Sequence, residues 1–75
     1  MEFDRELDAK GIACPLPILR TKKMLAEMKT GQVLRIQVTD PGSLKDFPAF
    51  AKQSGNELLA QLEENQVFEY FVKRK

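Results

Sequence analysis

Four stretches of this chain alternate apolar and polar side chains, and the two stretches that interrupt them carry apolar residues at helical spacing. Alternation demands a strand with one buried face, and a 3.6-residue period demands an amphipathic helix. A chain that obeys both rules in a fixed order has few ways to bury every apolar face at once. Phe3 to Asp8 sets Phe3 and Leu7 against Asp4, Glu6 and Asp8. Val33 to Thr39 sets Leu34, Ile36 and Val38 against Arg35, Gln37 and Thr39. Asn56 to Glu63 places Leu58, Ala60 and Leu62 on one face, and Val67 to Lys73 does the same with Phe68, Tyr70 and Val72. A turn at Glu64-Asn65 makes the last two a hairpin.

Between the first two strands, Ile18, Thr21, Met24, Leu25 and Met28 form one stripe of a helix running from about Pro17 to Met28, with Gly31 where a left-handed C-terminal cap is wanted. The second helix follows the turn signal Asp40-Pro41-Gly42-Ser43. Two starts compete. Ser43 with Asp46 resembles a capping box but places Pro48 inside the helix, at a cost of roughly 3 kcal/mol. Asp46 as the cap puts Pro48 in the first turn, where its missing N–H matters little, and this start is preferred, with Phe47, Phe50 and Ala51 inward and Gly55 closing the helix.

The order strand, helix, strand, helix, strand, strand predicts an α/β (α+β) two-layer sandwich, βαβαββ, with a mixed four-stranded sheet and both helices on one face. At 75 residues the chain has room for one domain, taken as residues 1–75. The outer sheet face is expected to be open to solvent.

Composition then narrows the chemistry. One cysteine and no histidine exclude an internal disulfide, any His-based triad or dyad, and a zinc site built on imidazole. Scattered carboxylates and one thiol make no transition-metal cage, so no cofactor or metal is expected. Twelve basic against 11 acidic residues give a net charge of +1, with no general pull toward nucleic acid or an anionic membrane. No run approaches the roughly 20 apolar residues of a membrane span, and the acidic start lacks the basic and apolar regions of a signal peptide. A lone thiol without a disulfide framework points to the cytosol.

Cys14 is then the one strong candidate nucleophile. It stands in Cys14-Pro15-Leu16-Pro17, at the junction of the first strand and first helix, after Gly11. A residue before proline avoids helical angles, so Cys14 is expected to be extended and just outside the helix, near its positive end, which favours thiolate. Either proline can be the first helical residue. The prolines also remove two donors that could have bonded the sulfur, so a moderately activated, rigidly presented thiol is expected. An isolated cysteine in a small domain is more often an inert buried hydrophobe, but a Gly- and Pro-rich junction is accessible and no periodicity forces Cys14 into the core.

On the first helix, Leu19 and Ala26 lie opposite the core stripe among Arg20, Lys22, Lys23 and Glu27, a candidate docking surface for an acidic partner that is otherwise an ordinary solvated face. Lys73-Arg74-Lys75 reads as a soluble, frayed end. Asp40 and Asp46 read as turn and cap residues rather than a catalytic pair.

Leu7-Asp8, Gly11, Cys14-Pro15-Leu16-Pro17, Lys22-Lys23, Asp40-Pro41 and Asp46-Phe47-Pro48-Ala49-Phe50 together resemble the signature of the TusA/SirA-like family of sulfur-carrier proteins. The resemblance runs from Leu7 to about Lys73. It implies a βαβαββ sandwich in which Cys14 carries a persulfide, loaded by a donor protein of the cysteine desulfurase or rhodanese type and unloaded by an acceptor. Members of the family serve tRNA thiolation, molybdenum-cofactor sulfur supply or oxidation of reduced sulfur compounds. It further implies that Gly11, Pro15 and Pro17 shape the turn and that Leu16, Leu19, Lys22, Lys23, Asp40 and Asp46 are the positions to consider for partner contact. Two departures stand out: Leu16 replaces a residue that is often acidic in relatives, and Ala51 stands where some carry a second cysteine.

The expected function is thus a cytosolic, monomeric persulfide carrier. The alternatives are a nucleic-acid or regulatory module using the basic helix face and open sheet, and a homodimer formed through Leu59, Val67 and Phe71 on that sheet face.

Overall fold

The computed structural model describes residues 2–13 and 16–75. Its elements are β1 (Arg5–Ala9), α1 (Leu16–Ala26), β2 (Val33–Val38), α2 (Ser43–Ser54), β3 (Glu57–Glu64) and β4 (Val67–Lys73). The sheet order is β1-β2-β4-β3, with β1 parallel to β2 and the other neighbours antiparallel. The expected mixed four-stranded sandwich is therefore the observed fold. Leu7, Ala9, Leu34, Ile36, Val38, Phe68, Tyr70 and Val72 point from the sheet into one core, where Leu25 and Met28 near the first helix and Phe47 and Phe50 of the second close over them. Among the described residues, no buried side-chain nitrogen or oxygen lacks a hydrogen-bond partner. Among the described residues, no helix is long and apolar enough to cross a membrane.

Phe3 departs from its expected place beside Leu7. The strand begins only at Arg5, after a bend at Asp4, whose N–H donates to the Val33 carbonyl at 2.8 Å and whose Oδ2 accepts the Val33 N–H at 2.8 Å. Phe3 consequently turns to the outer face, its ring 6.2 Å from that of Phe71 and 5.5 Å from the Arg35 guanidinium. Arg35 is in turn bonded through Nε to Glu69 at 2.9 Å and paired with Glu6 at 3.0 Å. This small outer layer leaves Phe71 only 4% exposed, so the face proposed for a homodimer is not the open apolar surface the alternation suggested.

A bulge explains the second departure. Leu58 pairs with Val72 but Ala60 pairs with Phe71, so Leu59 is the extra residue that flips the register of β3. Leu58 packs against the core, while Ala60 and Leu62 fall on the outer face instead of sharing Leu58's side. The hairpin turn is Asn65-Gln66, one residue later than expected, with φ of 51° and 65°, the signs a two-residue type I′ turn requires.

The helix ends also differ in detail. α1 stops at Ala26 and tightens through Glu27 N–H to Met24 O (3.1 Å) and Met28 N–H to Leu25 O (3.0 Å). Gly31, at φ +90°, is not its cap but a loop residue whose N–H donates to Arg74 O at 2.8 Å. The side chain that serves the end of α1 is Arg74, which donates from Nε to Leu25 O at 2.7 Å. A guanidinium on the last carbonyls suits the negative end of the helix. With Arg74 N–H on Gln32 O and Lys75 N–H on Asn56 Oδ1, both at 2.9 Å, the chain end is fastened rather than frayed.

α2 starts at Ser43 and not from an Asp46 cap. It follows Gly42, makes no side-chain cap bond, and holds Pro48 inside. Ser43 is fully buried, and its Oγ lies 2.8 Å from the Tyr70 hydroxyl. Extending the helix back to Ser43 secures that buried bond and seats the Asp40-Pro41-Gly42 turn, which offsets the hydrogen bond lost at Pro48. Gly55 closes the helix as expected, at φ +80° with its N–H on Ala51 O.

Candidate functional site

β1 and β2 run parallel, with Ala9 paired to Val38, so the chain leaves both strands at the same end of the sheet. The segment after β1 leads to Cys14 and into α1, and the segment after β2 leads through Asp40 into α2. Cys14 and Pro15 lie outside the described residues, so the site is defined by what stands on either side of them. Upstream, Asp8 Oδ1 accepts the Lys10 N–H at 3.0 Å, and Gly11 takes φ +77°. An L-residue rarely adopts that angle, which accounts for glycine here. Downstream, the Leu16 N–H donates to Ala13 O at 3.1 Å, so the two residues that bracket the Cys-Pro dipeptide are bonded to each other.

Leu16 is the first residue of α1 and Pro17 the second. Pro17 is buried, tolerates the first turn because no N–H is needed there, and offers its carbonyl to Thr21 Oγ1 at 2.8 Å. Pro17 thus anchors the helix start in the core, three residues after Cys14 in the chain.

The two segments are stitched together by a residue that strand alternation treated only as an outward position. Gly11 N–H donates to Thr39 Oγ1 at 2.8 Å. The available signal was a hydroxyl just past the last core residue of a strand and just before Asp-Pro. Asp40 then shapes its own turn: Oδ1 accepts the Gly42 N–H at 3.1 Å and its carbonyl the Ser43 N–H at 3.0 Å. Thr39 therefore brings Asp40 alongside the Gly11 loop. Asp46 is instead a first-turn acid of α2, placed where the helix dipole favours negative charge rather than as the cap.

On α1, Leu16 and Leu19 are 49% and 52% exposed, opposite Thr21 and Leu25. Helical spacing sets Leu16, Leu19, Lys23 and Ala26 on one outward stripe, with Arg20 and Lys22 on its two flanks. The basic pair diverges: Lys22 Nζ lies 5.9 Å over the Phe50 ring in the groove toward α2, whereas Lys23 sits with Arg20, Met24 and Glu27 on the side of Leu7. The surface leading away from the thiol segment is thus an exposed leucine pair framed by cations. Among the described residues, no group of His, Cys, Asp and Glu is placed to hold a metal ion.

The family described as Sulfurtransferase TusA matches residues 5–74. The sulfur carrier protein TusA of Allochromatium vinosum is 59% identical over 73 residues, covering 97% of this chain and 96% of that protein. A putative sulfur carrier protein of Bacillus subtilis, YrkI, is 42% identical over 99% of both chains. The crystal structure of a SirA-like protein from Desulfitobacterium hafniense superposes with a TM-score of 0.83 at 30% identity, covering 93% of this chain and 96% of its own.

Proposed function

The chain belongs to the TusA family of sulfurtransferases, and on that premise we propose that it accepts sulfane sulfur on Cys14 and relays it to an acceptor protein. The observation that carries this is the position of Cys14, the one thiol of the chain, between a glycine-initiated loop and the first turn of α1.

The chemistry needs little else. The Cys14 thiolate attacks the outer sulfur of a donor persulfide; the new Cys14 S–S bond forms as the donor's S–S bond breaks, and the donor departs as a thiolate. Cys14 is oxidised to the persulfide while the donor persulfide is reduced to the thiol, so no external oxidant enters. In the second transfer an acceptor thiolate attacks the outer sulfur and Cys14 leaves as thiolate. Each step is a displacement at sulfur whose rate depends on thiolate character and access. The chain has no histidine to act as a general base, and a displacement in which one thiolate attacks and another leaves requires none.

Those partners are a sulfur donor of the desulfurase or rhodanese type and a sulfur acceptor, met in the cytosol by a monomeric, single-domain carrier. Leu16, Leu19, Lys22 and Lys23 on α1, with Asp40 on the neighbouring loop, form the surface that meets them. Exposed leucines framed by basic side chains complement an acidic, partly apolar face. Gly11, Pro15 and Pro17 present the thiol.

Intact mass measurement after incubation with a persulfide donor tests this. The wild-type chain should gain one sulfur and lose it on reduction, and Cys14→Ser should gain none. A wild-type chain that gains nothing, or a Cys14→Ser variant that still gains sulfur, would falsify the proposal.

A further inference from the structure

We propose that Thr39 is a positioning residue for sulfur transfer, holding the Cys14 loop through its hydrogen bond from the Gly11 amide. The proposal rests on the carrier role of Cys14 set out above and assigns a residue to the presentation of that thiol.

Gly11 lies three positions before Cys14, so its backbone angles set the course of the segment that enters α1. Packing takes hold only at the next residue, Ile12, which is half-buried against the core. Gly11 is exposed, and a Cβ built on it would meet nothing within 4 Å. The loop is therefore held at this point by polar anchors. One is local: Asp8 Oδ1 on the Lys10 N–H, two residues away, which shapes the turn but moves with it. The other spans 28 positions, from Gly11 N–H to Thr39 Oγ1 at 2.8 Å, and ties the loop to the end of the central strand β2.

Thr39 suits this task. It follows Val38, which is fully buried, so its backbone is fixed by the sheet. Its β-branched side chain has few rotamers, so the hydroxyl is offered on a stiff arm. The next residue, Asp40, organises the turn into α2, so the same anchor fixes the thiol loop relative to a second proposed contact with partners. Displacement at sulfur requires the attacking and leaving sulfurs to lie in line with the atom transferred, and such steps lose rate when the reacting atom is loosely held. Because the bond is at the surface, water partly replaces it, and its loss should slow transfer rather than abolish it.

The test compares Thr39→Val, which keeps the shape and removes the hydroxyl, with Thr39→Ser, which keeps the hydroxyl. Three quantities are read on each full-length chain: hydrogen exchange at the Gly11 amide, the rate of one-sulfur loading from a persulfide donor, and the rate of Cys14 alkylation by iodoacetamide. In Thr39→Val, Gly11 exchange should speed up while core amides such as Ile36 stay protected, and loading should slow by about three- to tenfold, the scale of one net hydrogen bond. Thr39→Ser should stay within about twofold of wild type in both. Thr39→Ala, with the same loss of hydroxyl and less bulk, should behave as Thr39→Val and guards against a packing effect of valine. Wild-type loading rates in Thr39→Val, or equal slowing in Thr39→Ser, overturns the assignment. If the wild-type chain gains no sulfur at all, the carrier role itself falls. Thr39 is then judged on alkylation, where a Thr39→Val rate within about twofold of wild type counts against it.

Discussion

The Ser43 and Tyr70 hydroxyls meet at 2.8 Å in the core, fastening the first residue of α2 to the middle of β4. One turn further on, Phe47 stacks on the Tyr70 ring at 4.4 Å between centroids and 7° between planes. Tyr70→Phe keeps the stack and strands a buried Ser43 hydroxyl. Its expected cost is about 1–3 kcal/mol, a fall in Tm of about 4–8 °C for each kcal/mol in a chain of this size. Ser43→Ala combined with Tyr70→Phe should cost less than the sum of the two single changes, because the double variant has no Ser43 hydroxyl to strand. Denaturant melts of the three variants provide the check; strict additivity would mean the bond contributes nothing to seating α2.

Pro48→Ala should stabilise the protein. Asp46 N–H donates to Gly42 O at 3.0 Å, so the ladder of α2 is already running two residues before Pro48. Alanine there restores an N–H for the Leu44 carbonyl and removes the ring clash, an effect of up to about 3 kcal/mol in a helix interior. Proline also stiffens the unfolded chain, which offsets part of the gain by about 0.4–1 kcal/mol. A higher midpoint in urea unfolding is expected, and a lower one would show that Pro48 is held by packing that alanine cannot reproduce.

Pro48 also marks the limit of what local rules convey. Alternation and helical spacing located all the elements and nearly all of the core, because Leu34, Ile36 and Val38 or Phe68, Tyr70 and Val72 each declare a face without reference to any other strand. The start of α2 was illegible because the decisive contact, Ser43 with Tyr70, joins residues 27 positions apart. The bulge at Leu59 was hidden for a related reason: Glu57 to Glu64 keeps an alternating pattern that a register shift against β4 overrides. Phe3 looked like a partner of Leu7 until the Asp4 bond to Val33 ended the strand before it. At the candidate site the glycine, the prolines and the aspartate turn announce themselves by type. The link from Thr39 to Gly11 does not, since it depends on which two strands are parallel neighbours.

Phe3→Ala should uncover the outer face. The Phe3 ring lies against Phe71 and beneath the Arg35 guanidinium, and it is itself 42% exposed. Losing a half-exposed aromatic pair costs about 1 kcal/mol. The larger consequence is an apolar patch around Phe71, Ala60 and Leu62 on a sheet face that the wild-type chain keeps partly covered. Sedimentation at increasing concentration should show more self-association in Phe3→Ala than in the wild type. Equal behaviour of the two chains would mean Arg35 with Glu6 and Glu69 suffices to protect the face.

Leu19→Asp separates docking from chemistry. Leu19 is 52% exposed on the stripe opposite the core, so the substitution removes no buried contact and should change stability by no more than about 0.5 kcal/mol. It places a carboxylate among Arg20, Lys22 and Lys23, both filling the apolar centre of the proposed docking surface with charge and lowering its positive field. Sulfur loading from a small-molecule persulfide should be unaffected, because the thiol segment is unchanged. Loading from a donor protein should fall by at least about tenfold, as expected when an apolar anchor at the centre of an interface is lost. Lys23→Glu, at the rim of the same stripe, should act mainly on the association rate and fade as salt is raised. Equal loading of Leu19→Asp and wild type by the protein donor would move the docking surface off α1 and onto the Asp40 side of the thiol.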